Sequence, residues 1–236
     1  MSSFFSGFFR LFLRRWMAMA MLGLMAASGA HAQAPATAPH DFWIAIANDR
    51  ASEVKQYLAR GVSPNAVNGI SNTPLLEAIK VDSWKTYDVL LADKRTDVNE
   101  RNKLGESPLM YLALKGDTAR AKALIARDAE VNQPGWTALH YAATVGADDV
   151  VRLLLENYAY IDAESPDQTT PLMMAMRYGK SSTVMLLLDE SADGYAKNAD
   201  GKNAVDIGRE TNNAMLVDAM AKRLNEEKQR KAAAGR

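Results

Sequence analysis

The 236-residue sequence contains no cysteine and only three histidines. Without cysteine, the chain cannot form a disulfide, a thiolate zinc site, an iron–sulfur cluster or a cysteine nucleophile. The sequence also lacks a glycine-rich phosphate loop, an H-E-x-x-H zinc motif and a G-x-S-x-G nucleophile elbow. We therefore predict that the protein is not an enzyme, and expect no catalytic residue, no cofactor and no metal site.

Acidic residues are absent from the first 32 positions, which carry three arginines. An apolar run of 15 residues, Trp16–Ala30, follows the arginines and leads into an A-x-A sequence at Ala30–Ala32. This order is typical of a secretory signal peptide that is cleaved after Ala32. As a helix, the run would rise only about 22 Å, less than the roughly 30 Å of a membrane core. An uncleaved anchor is therefore the weaker alternative, and the pair Arg14-Arg15 leaves twin-arginine export open beside general secretion.

We predict a mature chain that begins at Gln33 in the periplasm of a Gram-negative bacterium. Residues 33–39 are expected to form an extended Ala/Pro linker. Residues 33–221 carry 19 basic and 26 acidic side chains, whereas the tail 222–236 carries six basic and two acidic ones. Because nucleic-acid binding requires a basic face, we expect no nucleic-acid partner. We also expect no stable membrane insertion once the signal peptide is removed.

One sequence pattern recurs about every 33 residues, with copies that begin at positions 40, 73, 107, 137, 170 and 203. A typical copy opens with Thr170-Pro171-Leu172-Met173, reverses at a residue such as Gly179, and continues with an apolar segment such as 184–188. A threonine before a proline favours the start of a helix, and glycine allows the chain to reverse. Each copy therefore predicts two antiparallel helices. One such pair cannot cover its own apolar face, so neighbouring pairs are expected to stack.

This period, the opening, and loop endings such as Thr96-Asp97-Val98-Asn99 resemble the ankyrin repeat family over residues 40–221. The resemblance implies an all-α repeat solenoid of stacked helix-turn-helix repeats with short β-hairpin fingers. Six repeats are predicted at 40–72, 73–106, 107–136, 137–169, 170–202 and 203–221, followed by the basic tail 222–236. The first and last copies keep the pattern least well, and both full repeats and caps remain open for them.

Three positions stand out against this pattern. Only four residues separate Asn132 from Thr137, so the finger between repeats three and four is predicted to be short. Tyr158 stands where a left-handed glycine is usual, at a cost of roughly 1 kcal/mol. His140 occupies the histidine position that, by the resemblance, bonds neighbouring repeats.

The resemblance also implies a concave binding face, built from the fingers and the inner row of helices. The partner-binding residues predicted on it are Leu114, Lys115, Trp136, Thr144, Val145, Arg177 and Tyr178. Tryptophan, tyrosine and arginine are the residue types enriched in interface hot spots. For Trp136 the alternative is packing on its own shortened finger. Trp84 is a second candidate, expected to be exposed at a turn between two helices.

Together these features predict a monomeric, non-enzymatic scaffold that binds another protein in the periplasm. The chain also resembles the small exported bacterial ankyrin repeat proteins that are found beside periplasmic catalases and support peroxide resistance. An immunity-type protein that masks a toxin is a third interpretation.

Overall fold

The structure is a computed structural model that describes residues 38–234. The predicted signal peptide and most of the predicted linker lie outside the described residues. Within residues 38–234 the chain forms twelve helices. In chain order these are α1 (His40–Ala47), α2 (Ala51–Ala59), α3 (Pro74–Lys80), α4 (Trp84–Ala92), α5 (Pro108–Lys115), α6 (Thr118–Ile125), α7 (Ala138–Val145), α8 (Asp148–Glu156), α9 (Pro171–Arg177), α10 (Ser181–Asp189), α11 (Ala204–Glu210) and α12 (Ala214–Ala234).

Successive helices form six pairs, α1–α2 to α11–α12, and each pair is joined by a turn of two or three residues. The odd-numbered helices pack on one another in a continuous row. The even-numbered helices form a second row behind them, where the hydroxyl of Tyr87 in α4 donates to the carbonyl of Arg120 in α6 at 3.2 Å. This arrangement confirms the predicted all-helical solenoid.

Short polar side chains fix the starts of the odd-numbered helices. The hydroxyls of Thr73, Ser107 and Thr170 each accept a hydrogen bond from the backbone N–H three residues later, and a proline follows each of them. These hydroxyls satisfy a donor that the first helical turn leaves free, and the proline ring holds the helical φ angle. The Thr/Ser-Pro openings therefore start helices as predicted.

The turns inside the pairs rely on residues that tolerate a left-handed backbone. Gly116 and Gly146 end α5 and α7 with φ angles of 67° and 77°. Asp82, which replaces glycine between α3 and α4, has a φ of 61°. Tyr158, just after α8, keeps the left-handed geometry that is usual for glycine at this position, with a φ of 63°.

Apolar side chains from every repeat join in one core between the two rows of helices. Leu154 of α8 is fully buried in it. Ala78, Ala142 and Ala175, at matching positions in α3, α7 and α9, are also fully buried. Because alanine is small, the odd-numbered helices can approach closely, and the larger side chains fill the space towards the even row.

The fingers between the pairs are tight turns rather than β-hairpins. In each of four fingers, one backbone N–H bonds the carbonyl four residues later, as from Asn102 to Glu106 at 3.1 Å and from Ser165 to Thr169 at 3.1 Å. No strand forms within residues 38–234. The prediction of β-hairpin fingers is therefore wrong, because arms held by one backbone bond are too short for a ladder.

The last helix, α12, continues through the predicted tail boundary at residue 222 without a break. Its buried side chains Leu216, Met220 and Leu224 stop at Leu224, and the described side chains beyond it are exposed. Arg223 pairs with Asp189 of α10 at 3.1 Å. In the part of the chain that the structure describes, no helix has the length and apolar character needed to cross a membrane.

Candidate protein-interaction surface

His140 links repeats four and five from inside the core. Its Nδ1 accepts from the backbone N–H of Thr137 at 3.2 Å, and its Nε2 lies 2.9 Å from the carbonyl oxygen of Thr169 in the next finger. With Nδ1 accepting, the proton belongs on Nε2, which donates to Thr169. Burial lowers the pKa of His140 to about 4, so the ring is neutral at physiological pH. The role implied by the resemblance is the one observed.

A polar network fills the bases of the first two fingers. The amide of Asn102 donates to Asn72 at 3.1 Å and to the carboxylate of Glu106 at 2.6 Å. The hydroxyl of Tyr111 also donates to Glu106, at 2.9 Å. Asn72 and Glu106 are almost completely buried. These residues therefore hold neighbouring fingers together and do not present their side chains to a partner.

Trp136 is half-buried at the base of the third finger. Its ring meets that of His140 edge to face, with 5.2 Å between centroids. Its carbonyl accepts from the side-chain amide of Gln133 at 2.7 Å. In this shortened finger, the Gln133 side chain spans the turn. The indole is thus less exposed than a short finger alone suggests, because it rests on His140.

Four predicted binding residues lie at the ends of α5 and α7, and they differ in accessibility. Leu114 and Val145 are half-buried, and Lys115 is exposed with its Nζ 2.8 Å from Asp82. Thr144 is buried, and its hydroxyl donates to the carbonyl of His140 at 2.7 Å. Its placement contradicts the expected exposure, because this hydroxyl is satisfied one turn back in its own helix.

Arg177 and Tyr178 lie at the end of α9, at the positions that Thr144 and Val145 occupy one repeat earlier. Both are half-buried. The Nε of Arg177 has no hydrogen-bond partner among the described atoms. Burial raises the pKa of the Tyr178 hydroxyl. That Nε is buried, so what this end of the predicted face offers is the charge of Arg177 beside an aromatic ring, not a free donor.

Trp84 is the first residue of α4 and is half-buried, not exposed as expected. The guanidinium of Arg120 lies over its ring, 4.0 Å from the centroid. The Nζ of Lys115 lies 5.8 Å from the same ring. Trp84 therefore joins repeats two and three through cation–π contacts, each worth about 0.5–1 kcal/mol at an accessible site.

Three exposed tyrosines were not predicted as binding residues from the sequence. The exposed fractions of Tyr158, Tyr160 and Tyr195 are 85%, 69% and 58%. They lie in the two connections that lead from α8 to α9 and from α10 to α11. The left-handed position of Tyr158 was the signal available in the sequence, because a side chain there points away from the helix that it ends.

The even-numbered helices carry one further concave feature, a cavity of about 360 Å³ between α2 and α4. Leu58, Ala59, Val89 and Ala92 form its apolar floor, with Lys55, Asp93 and Arg95 at the rim. The guanidinium of Arg95 is held by Asp93 at 2.6 Å. Among residues 38–234, no group of histidine or acidic side chains has an arrangement that could hold a metal ion.

Two stacked rows of paired helices, tight fingers and a histidine that bridges repeats define a solenoid of the ankyrin type. A model of ankyrin repeats in three copies matches residues 82–167, and a single-repeat model matches residues 167–199. These matches cover half of the chain, which belongs to the ankyrin repeat family.

Curated relatives match part of the chain. Neurogenic locus notch homolog protein 1 of Homo sapiens is 30% identical over 148 residues, which are 61% of this chain and 6% of that protein. The protein of the same name from Mus musculus is 31% identical over 147 residues, again 61% and 6% of the two chains. The chain thus spans a small fraction of the curated relatives that it matches.

Proposed function

We propose that this protein is a non-enzymatic scaffold that binds another protein through the ends of its odd-numbered helices. One observation carries the proposal. Lys115, Val145 and Tyr178 occupy the same position in three successive repeats, and all three reach solvent. They form a strip in which an aromatic and an apolar side chain, the character favoured at the centre of protein interfaces, lie beside a cation of the kind found at the rim. Membership of a family of stacked repeats supports this function.

We also propose that the scaffold acts in the periplasm as a monomer. The support is the acid-free N-terminal segment with its A-x-A ending at Ala32. Protein isolated from the cell envelope should begin at Gln33, as determined by N-terminal sequencing. Full-length protein that begins at Met1 and is recovered from the cytosol would contradict the export proposal and leave the binding proposal standing.

The binding proposal is tested by first capturing the partner from periplasmic extract and then measuring its affinity for variants. Trp136→Ala should weaken binding by about 2 kcal/mol, the size of a hot-spot loss. Val145→Lys should weaken it as well, because a cation would replace the central apolar side chain. Met215→Lys, at an exposed site on α12, is the matched control and should leave the affinity unchanged.

Thermal midpoints separate binding from packing. Trp136 rests on His140, so Trp136→Ala is expected to lower the midpoint somewhat. If the affinity holds while the midpoint falls sharply, Trp136 is a packing residue. If Val145→Lys also binds normally, the strip is not the binding surface. A catalase or a toxin as the captured partner would decide between a role in peroxide resistance and a masking role.

A further inference from the structure

Tyr158, Tyr160 and Tyr195, which we call the tyrosine edge, lie on two connections that touch each other. The backbone N–H of Asp193 donates to the carboxylate of Asp162 at 2.9 Å, which ties the second connection to the first. Both connections lead from the end of an even-numbered helix into a finger. The three rings are therefore on neighbouring loops, which lead into the fourth and fifth fingers.

Fold stability does not account for Tyr158. The same position, directly after the even-numbered helix, holds Gly61, Asp128 and Ser191 in other repeats, all with positive φ. A large side chain is disfavoured in that backbone conformation. Because 85% of Tyr158 is exposed, burial of the ring does not compensate for the strain. A ring that costs stability and faces solvent is best explained by contact with another molecule.

The surroundings of the tyrosine edge are negatively charged. Glu156, Asp162, Glu190 and Asp193 flank the three rings in sequence, and none forms an ion pair with a described residue. The nearest cations in sequence are Arg152 and Lys197, both exposed. A third cation, Arg223 of α12, is paired with Asp189, the last residue of α10.

Two of these carboxylates repel each other. The pKa of Asp162 is raised, first by burial and also by the charge of Asp193. The backbone N–H of Asp193, which donates to Asp162, offsets only part of that effect. Neither Asp162 nor Asp193 forms an ion pair with a cation among the described residues.

We propose that the tyrosine edge binds an arginine- and lysine-rich segment of a partner protein. Tyrosine faces attract guanidinium and ammonium groups, and the neighbouring carboxylates pair with the same cations. Each such contact is weak at an exposed surface, so several adjacent ones are required, and three rings with four carboxylates provide them. This edge is separate from the strip at the ends of the odd-numbered helices, so either surface can fail its test without the other.

The test uses the purified protein and a fluorescein-labelled peptide of alternating arginine and serine, with binding followed by fluorescence anisotropy. The combined variant Tyr158→Ser, Tyr160→Ser and Tyr195→Ser should raise the Kd about tenfold or more, because the cation–π contacts are removed. Replacement of the same three residues by phenylalanine should keep the affinity near that of the unmodified protein. A peptide of alternating glutamate and serine should not bind.

Matched controls make the result specific. Ile70→Ser with Leu104→Ser removes two exposed apolar side chains from fingers at the other end of the stack and should leave the Kd unchanged. Thermal midpoints are measured for every variant, and the serine variant should not melt earlier, since the three rings that it removes are exposed. An unchanged Kd for the serine variant overturns the proposal. So does self-association that the serine variant abolishes in sedimentation, since the occupant would then be a second copy.

Discussion

The first three junctions between repeats are built differently from the fourth. Asn65, Asn99 and Asn132 each bridge to the next repeat twice, because the side-chain amide donates to a carbonyl and the side-chain oxygen accepts a backbone N–H. Asp162 occupies the same place at the fourth junction and only accepts, from Asp193. A carboxylate has no N–H to donate, so one cross-bond is missing there.

A contact at the start of α7 compensates for the cross-bond that is missing at the fourth junction. Met110 and Met173 stand where His140 does in their own repeats, and each sulfur accepts the N–H that precedes its own helix. The sulfur of Met110 also accepts from the side-chain amide of Gln133, at 3.5 Å. His140 accepts the equivalent N–H and also reaches the carbonyl of Thr169, the residue directly before repeat five. The repeated backbone thus does not imply repeated junctions: the fourth junction keeps one cross-bond in its connection and adds a backbone contact of His140 from the start of α7.

The largest expected effect concerns the core that both kinds of junction share. Leu154→Ala should lower the free energy of unfolding by about 2–5 kcal/mol, because it removes a fully buried side chain and leaves a cavity. Urea denaturation measures the change. Leu104→Ala, at an exposed finger, is the control and should stay within about 0.5 kcal/mol of the unmodified protein. A loss that small at Leu154 would mean that the core is assigned to the wrong residues.

The second effect tests the histidine bridge through pH. The pKa of His140 is lowered from 6.5 to about 4 in the folded protein, so the unfolded chain takes up the proton more readily. The stabilisation is complete above pH 6.5 and is lost as the pH falls towards 4, on the order of 3 kcal/mol in total. His140→Met, which copies the side chain of repeats three and five, should flatten this part of the pH profile measured by urea denaturation. An equally steep profile in that variant would assign the acid sensitivity to other groups.

Local interactions explain why much of the fold could be predicted. The Thr/Ser-Pro starts and the reversal at Asp82 depend on residues within one turn of chain, so the sequence pattern was sufficient for them. Whether the fingers form β-hairpins depends on how many backbone hydrogen bonds their two short arms can form. Residue types alone do not determine that number. The binding face was harder still. Thr144 bonds one turn back in its own helix and Trp136 rests on the nearby ring of His140, contacts that depend on side-chain conformations and not on residue types alone.

Asp162→Asn should make the fourth junction resemble the first three. An amide at this position can keep the bond from Asp193 and donate to the carbonyl of Ser191, as Asn132 does to Tyr158. One added hydrogen bond should raise the free energy of unfolding at neutral pH by about 1 kcal/mol. The raised pKa of Asp162 also predicts a gain in stability for Asp162→Asn at neutral pH. A carboxyl group whose pKa is raised by folding contributes less to the free energy of unfolding once the pH has risen through that pKa. Asn132→Asp is the reciprocal variant and should lose a similar amount in urea denaturation. No gain at Asp162 would show that the missing bond does not weaken this junction.

The smallest expected effect is at the tyrosine beside the fourth junction. Tyr158→Gly should raise the free energy of unfolding by about 0.5–1 kcal/mol, because glycine adopts a φ of 63° without the steric penalty of a side chain. The gain is less than the full penalty, since glycine adds freedom to the unfolded chain. Tyr160→Gly is the control and should not stabilise, because Tyr160 is not among the residues with positive φ. Thermal and urea denaturation of both variants measure the difference. If Tyr158→Gly destabilises the protein instead, the ring contributes to the packing of the fourth junction, and its exposure would no longer be a reason to assign it to a partner.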